Sequence, residues 1–315
     1  MGPPTRAALR LLGLCLLAAA SSVGSAAAQE LPPQAVHRAG FEVASDEVFA
    51  VVRQFYDFDE ALPLDARVVD SWEDETARFE TVVFTTSSGE RVPGDLTLPL
   101  TGEPPYPAVL LIHGLNSTRD YWWRPDREAL PKGLLAAGIA VMTIDLRFHG
   151  ARSAANDYLP PALMTMGGNE LFVRSRDMTI QSAIDSRRAL DFLGEQPEID
   201  GARIGVAGYS MGAMIALYLS ALEGELVAAV GAAVPTRTQQ LPTDHFNFAA
   251  RATMPVLLQI GRDDWLSSPA DAEMLRGLVP RELGKLRYYD AGHRLPPAFA
   301  SDAAAWLVER LAPPA

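Results

Sequence analysis

The stretch IGVAGYSMGAMIALYLSAL, Ile204 to Leu222, decides the fold. Its opening, Ile204 to Ala207, is a continuous small and apolar run, as in a strand buried on both faces. Its second half, from Met211, is an apolar helical run. Between them stands Gly208-Tyr209-Ser210-Met211-Gly212, a G-x-S-x-G pattern. That pattern makes a sharp strand-to-helix turn: the serine at the apex takes a strained backbone, and the flanking glycines let the two arms approach closely. A structural turn with a bystander serine is the alternative, because five-residue matches also arise by chance. The strand before it and the helix after it give the pattern its weight.

Working outward, the same alternation repeats. Ala108 to Ile112, Ile139 to Ile144, Val227 to Ala233, Val256 to Ile260 and Leu286 to Tyr289 read as buried strands. Helices fit at residues 127–137, 180–193, 211–222, 270–278 and 299–311, the second with a gap in its apolar spacing at Arg187. Strands alternating with helices predict an α/β architecture, a doubly wound and mostly parallel sheet with helices on both faces. Arg78 to Thr85 and Val92 to Leu100, joined by Ser87-Ser88-Gly89-Glu90, predict an antiparallel hairpin at one edge. Asp46 to Tyr56 reads as a helix and Pro63 to Glu75 as a connecting loop. Residues 151–176 have no place in the sheet and form a candidate lid or pocket wall, or a surface excursion packed on the body. Pro235 to Arg251 is a shorter candidate.

The start of the chain differs from the rest. Arg6 and Arg10 precede the apolar run Leu11 to Ala20, and Ala26-Ala27-Ala28 follows. This reads as a secretory signal peptide over residues 1–28, too short to span a bilayer, which takes roughly 20 apolar residues. The expected organisation is a leader (1–28), an N-terminal extension with one helix (29–77, Pro- and Ala-rich and poorly ordered up to residue 40) and a catalytic domain (78–315). An exported protein without stable membrane insertion is expected. Cys15, the only cysteine, falls inside the leader, so the mature chain has no thiol for disulfides, nucleophilic attack or thiolate metal sites. The net charge of −12 opposes binding to nucleic acid or anionic lipid. No clustered metal-ligand spacing and no Gly-rich phosphate loop is found; neither metal nor cofactor is expected.

A serine hydroxyl needs an adjacent base. Of the five histidines, only His245 and His293 follow Ser210, and in a G-x-S-x-G sheet protein the order is serine, acid, histidine. His293, in Asp290-Ala291-Gly292-His293, comes directly after a strand and so lies at a carboxyl end, where ligands bind in such sheets. The acid should follow the strand ending at Ile260, where Asp263 and Asp264 are adjacent; only one of them can face the imidazole. Backbone N–H groups of Met211 and Leu115 are the candidate oxyanion donors, the latter in the loop His113-Gly114-Leu115-Asn116. His113 precedes the serine and reads as loop-shaping, as does His149. Tyr121, Trp122 and Tyr209 are candidate pocket walls; a core aromatic cluster is the alternative.

These residues resemble the dienelactone-hydrolase-like and acetyl-xylan-esterase-like branch of the α/β-hydrolases, related to the catalytic domain of prolyl-oligopeptidase-like peptidases. The carriers are LLIHG (110–114), DLRFHGARS (145–153), the run from Asp185 to Gly212, GRDDWLSS (261–268) and DAGH (290–293). The resemblance implies the α/β-hydrolase fold, hydrolysis of small-molecule carboxylic esters, thioesters, lactones or peptides, and no cofactor. Its G-x-x-D phrase maps onto Gly261 and Asp264, which favours Asp264 as the acid. Two features depart from it: Ala213 stands where a second glycine is common, and the nucleophile is serine where dienelactone hydrolases carry cysteine. An esterase with the triad Ser210, His293 and Asp264 is the expectation; a serine peptidase on the same triad and a non-catalytic binding protein of this fold are the rivals.

Overall fold

A computed structural model describes residues 41–166, 169–236 and 241–312. The expected leader and the segment up to residue 40 lie outside the described residues. Nine strands form one sheet in the order β1-β2-β3-β5-β4-β6-β7-β8-β9. They are β1 (Arg67–Glu73), β2 (Ala77–Thr85), β3 (Arg91–Pro99), β4 (Tyr106–Ile112), β5 (Ala140–Ile144), β6 (Ile199–Tyr209), β7 (Ala228–Ala232), β8 (Val256–Gly261) and β9 (Gly284–Tyr289). The pairings from β5 through β4 to β9 are parallel, and those among β1, β2, β3 and β5 are antiparallel. This is the mostly parallel sheet with an antiparallel edge that the alternation predicts.

The helices are α1 (Asp46–Arg53), α2 (Ala129–Ala136), α3 (Pro161–Met166), α4 (Asn169–Glu195), α5 (Met211–Leu222), α6 (His245–Ala249), α7 (Pro269–Leu278) and α8 (Ala298–Leu311). Among the described residues no helix is long and apolar enough to cross a membrane. On one face of the sheet Val109, Leu111, Val141, Ala207, Val230 and Leu257 pack with Leu130 and Leu134 of α2 and Phe299, Ala303 and Leu307 of α8. Successive residues of a strand point to opposite faces, so Leu110, Ile112 and Val206 serve the other face. Both faces are covered, which is why these strands read as unbroken apolar runs. The strand order reverses beside β4: the chain leaves β4 for β5 on one side, and β6 returns on the other. In such sheets the crevice at the strands' carboxyl ends opens at that reversal.

Two sequence readings are corrected. Residues 63–75 contain β1 rather than a loop throughout, so the sheet begins at Arg67. Every residue of β1 is exposed, and it pairs only with β2. An edge strand with both faces in water has no core side to impose the period-two pattern. What holds it, besides backbone bonds, is Trp72 stacked on Phe79 across the pair at 3.8 Å. The helix expected at 180–193 runs from Asn169 to Glu195. Its extra N-terminal turns carry Arg174, Arg176 and the exposed Val173, so no continuous apolar stripe announces them. The gap at Arg187 also has a cause: its guanidinium pairs with Glu223 and donates to the Tyr56 carbonyl.

The region 151–176 lies outside the sheet and comprises a 3-10 turn (Gly150–Asn156), α3 and the start of α4. A buried polar knot fastens it to the hairpin. The Asp185 carboxylate, fully buried, accepts from Thr86, from Gln181 at 2.9 Å and from Arg152; Arg152 also pairs with Glu90, which pairs with Arg147. Removing one partner of a buried ion pair strands the other and costs about 3–5 kcal/mol. Asp185→Ala is therefore expected to lower the unfolding free energy by about that amount, read as an earlier midpoint in urea at unchanged slope. A midpoint equal to wild type would show that the knot contributes nothing to stability.

Candidate active site

Ser210 stands between the last residue of β6 and the first of α5, with φ 55° and ψ −114°. A left-handed backbone at a residue with a Cβ stores about 1–3 kcal/mol and persists only where its surroundings hold it. Here the Ser210 N–H donates to the Ala232 carbonyl of β7 at 2.8 Å, and the Ser210 carbonyl accepts the first bonds of α5 from Ala213 and Met214. The two glycines of the pentapeptide are required by contact. A Cβ on Gly208 would lie 2.0 Å from the Gly212 carbonyl oxygen, and one on Gly212 would lie 2.3 Å from that of Ile112.

The loops after β8 and β9 bring the other two groups. They are stitched by backbone bonds from Arg262 to the Tyr289 carbonyl and from Asp263 to the Ala291 carbonyl. Along β8's exit the side chains alternate: Asp263 is exposed, whereas Asp264 turns inward and is buried. Asp264 Oδ1 accepts from the Leu266 N–H at 2.8 Å, and Oδ2 lies 2.9 Å from His293 Nδ1. His293 Nε2 lies 2.9 Å from Ser210 Oγ. A carboxylate only accepts, so Nδ1 carries the proton and donates to Asp264, and Nε2 is left to accept from the serine hydroxyl. The structure thus brings together Ser210, His293 and Asp264, and puts Asp263 on the outside. His245 is buried in α6, which packs on α5.

The Met211 N–H opens α5, so no carbonyl one turn earlier receives it. The Leu115 N–H has no acceptor among the described residues either, and Leu115 is half-buried. The β4 loop that carries it is clamped from behind. His113 Nδ1 donates to the Gly114 carbonyl at 2.8 Å, and its Nε2 accepts from the Leu146 N–H at 3.2 Å. Burial depresses this imidazole to a pKa of about 3, so it is neutral and a fixed part of the loop. His149 is buried and likewise depressed by burial, with Nδ1 donating to the Arg147 carbonyl. The Asp145 carboxylate gathers the next turns, accepting from the Arg119 N–H at 2.9 Å, the Arg119 guanidinium at 2.7 Å and the Ala151 N–H at 3.0 Å.

The aromatic residues go elsewhere than expected. Tyr121, Trp122 and Tyr209 are 6%, 1% and 4% exposed and pack with Phe299 into the core. They form a layer beneath the site, and the pocket-wall reading gives way to the core reading. A large aromatic run serves either role, and no residue spacing separates the two. What sequence reasoning missed is the surface that does flank the site. Trp265, 55% exposed, stands edge-on to His293 with ring centroids 6.4 Å apart. Asn116 Oδ1 accepts from the Ala162 N–H at 2.9 Å, which ties the β4 loop to α3, and Tyr158, Leu159 and Leu163 are exposed on that segment. Among the described residues no group of three or more His, Cys, Asp or Glu side chains is placed to hold a metal ion.

A serine at a strand-to-helix turn beside the sheet's reversal, with an aspartate and a histidine on the exits of β8 and β9, is an arrangement that points to one class of protein, and the comparisons return it. The sequence profile of the alpha/beta hydrolase family matches residues 109–314, and the chain belongs to that family. Esterase FrsA of Yersinia pestis (strain Pestoides F) is 30% identical over 155 residues, 49% of this chain and 31% of that protein; the match spans about a third of the relative's length. Acetyl xylan esterase 1 from Thermoanaerobacterium sp. JW/SL YS485 superposes with a TM-score of 0.69 at 18% identity, over 87% of this chain and 96% of that one. A cold-adapted esterase from an Arctic intertidal metagenomic library gives 0.62 at 23%, over 78% and 98%. The two structural likenesses are of fold, and they agree with the α/β-hydrolase fold that the sequence phrases imply.

Proposed function

We propose that the chain is an exported serine hydrolase that cleaves small carboxylic esters through an acyl-enzyme. The observation that carries this reading is the line Ser210 Oγ, His293 Nε2, His293 Nδ1, Asp264 Oδ2, with both contacts at 2.9 Å. Ser210 Oγ attacks the ester carbonyl carbon as His293 Nε2 takes its proton, and the carbonyl electron pair moves onto oxygen. The Leu115 and Met211 N–H groups receive that oxyanion, the latter with the positive end of α5 behind it. Collapse breaks the bond to the alcohol oxygen, which leaves with the proton from His293. Water then repeats the sequence on the acyl-serine, releasing the acid and restoring Ser210. Asp264 holds the tautomer and offsets the imidazolium charge throughout. No electron acceptor or further group is needed for the balance.

The likeness of fold to proteins named as acetyl xylan esterases makes an acetyl ester the first substrate to try. Trp265 beside His293, and Tyr158, Leu159 and Leu163 beyond the oxyanion loop, offer apolar surface to the two ends of an ester. The test is labelling with a fluorophosphonate alongside hydrolysis of p-nitrophenyl acetate. One adduct per chain on the peptide containing Ser210, with turnover lost in step, is expected. An unlabelled serine in a protein that still turns over the ester would remove Ser210 from the reading, and turnover of aminoacyl amides above that of esters would make it a peptidase.

A further inference from the structure

Tyr209 is the middle residue of the pentapeptide's first half, next to the nucleophile, yet its side chain reaches the loop that carries the base. Its hydroxyl donates to the His293 carbonyl at 2.6 Å and accepts from the Leu295 N–H at 3.0 Å. Both bonds fall on backbone, one on His293 itself and one two residues beyond. Burial raises the phenol's pKa above its ordinary value, so it stays protonated and able to donate. The ring is held in turn. It lies 5.3 Å from Phe299 and 5.5 Å from Tyr121, and the Arg127 guanidinium lies 5.3 Å from its centre. Arg127 pairs with Asp126, and Asp126 also accepts from Arg294 at 2.8 Å. Residues 293–295 are therefore fastened at three successive positions to Tyr209 and the 126–127 turn.

We propose that Tyr209 is a positioning residue for His293: a rigid strut, anchored in β6, that fixes the distance from the base to the neighbouring serine. The inference rests on the triad reading above. Its logic is geometric. Ser210 cannot shift, because its backbone is locked between β6, β7 and α5. His293 lies in a loop after the edge strand β9, held to its neighbour only on the β8 side. Without the hydroxyl, the His293 carbonyl and Leu295 N–H lose these partners, and the loop is left to the Arg294–Asp126 pair, the backbone bonds to the β8 exit and the contact of the imidazole with Asp264. A misplacement of about 1 Å at a reacting group lowers a rate by up to about 100-fold.

Tyr209→Phe keeps the ring and deletes the bonds. The expected result with p-nitrophenyl acetate is a kcat about 10- to 100-fold lower at a KM within about two-fold of wild type. The rate of fluorophosphonate labelling should fall in step. The low-field proton resonance of His293 Nδ1–H, bonded to Asp264, should broaden or shift while the remaining amide spectrum stays native. Tyr209→Met, which fills the space with a flexible chain, serves if the Phe variant does not accumulate in folded form. A folded variant with wild-type kcat overturns the proposal. So does a loss of kcat that is matched by loss of folded protein and leaves the resonance unchanged. Absence of turnover and labelling in the wild-type protein would instead sink the triad reading, and the resonance would still report whether Tyr209 sets the position of His293.

Discussion

Ser210→Ala is expected to lower kcat for p-nitrophenyl acetate by about 10⁶-fold with KM little changed. The substitution removes one oxygen from a turn whose shape does not depend on it. The elbow is set by the Gly208 and Gly212 contacts and by the bond from residue 210 N–H to Ala232, all of which survive in alanine. The Leu115 and Met211 N–H groups stay in place, so substrate binding and a residual rate through oxyanion stabilisation should remain. Circular dichroism and the thermal midpoint should match wild type, since φ 55° is tolerated no worse by alanine than by serine. Retention of more than about one per cent of kcat would mean that hydrolysis does not pass through Ser210.

The second large effect separates two adjacent aspartates. Asp264→Asn is expected to reduce kcat about 10⁴-fold, and Asp263→Asn to leave it near wild type. An amide at 264 can present N–H to His293 Nδ1. The ring then carries its proton on Nε2, where it cannot accept from Ser210. The shape of the loop is unaffected, because the Leu266 N–H still finds an oxygen at position 264. Asp263 is held by its backbone N–H to the Ala291 carbonyl, and its exposed carboxylate faces water. Equal losses in the two variants would point to loop electrostatics rather than a specific contact with His293.

The choice between these two residues shows where sequence reading stops. Chain order and the strand before them located both, and the family phrase favoured Asp264. Which one turns inward depends on the register of the turn after β8, and that is a tertiary fact. The parallel strands were legible because both of their faces are buried, and α5 because its apolar run follows the elbow directly. β1 was not, because nothing apolar covers it. For Tyr121, Trp122 and Tyr209 the sequence leaves wall and core both open, since bulk and aromaticity are equally at home in either, and burial places them in the core. The bond from Asn116 to Ala162 and the reach of the Tyr209 hydroxyl across 84 residues leave no trace in local pattern.

The order of the strands spreads the proposed triad across the sheet. The proposed nucleophile is carried near the centre of the sheet and its proposed base at the far edge, 83 residues later, after a strand that among the described residues pairs only with β8. Parallel pairing between distant segments is slow, because the loop must close before any contact rewards it. A chain that has assembled β4, β6 and β7 but not yet seated β9 owns a serine with nothing to deprotonate it. On the proposed triad, hydrolytic power therefore requires β9 to be seated beside β8, and a copy in which it is not would be chemically mute towards esters.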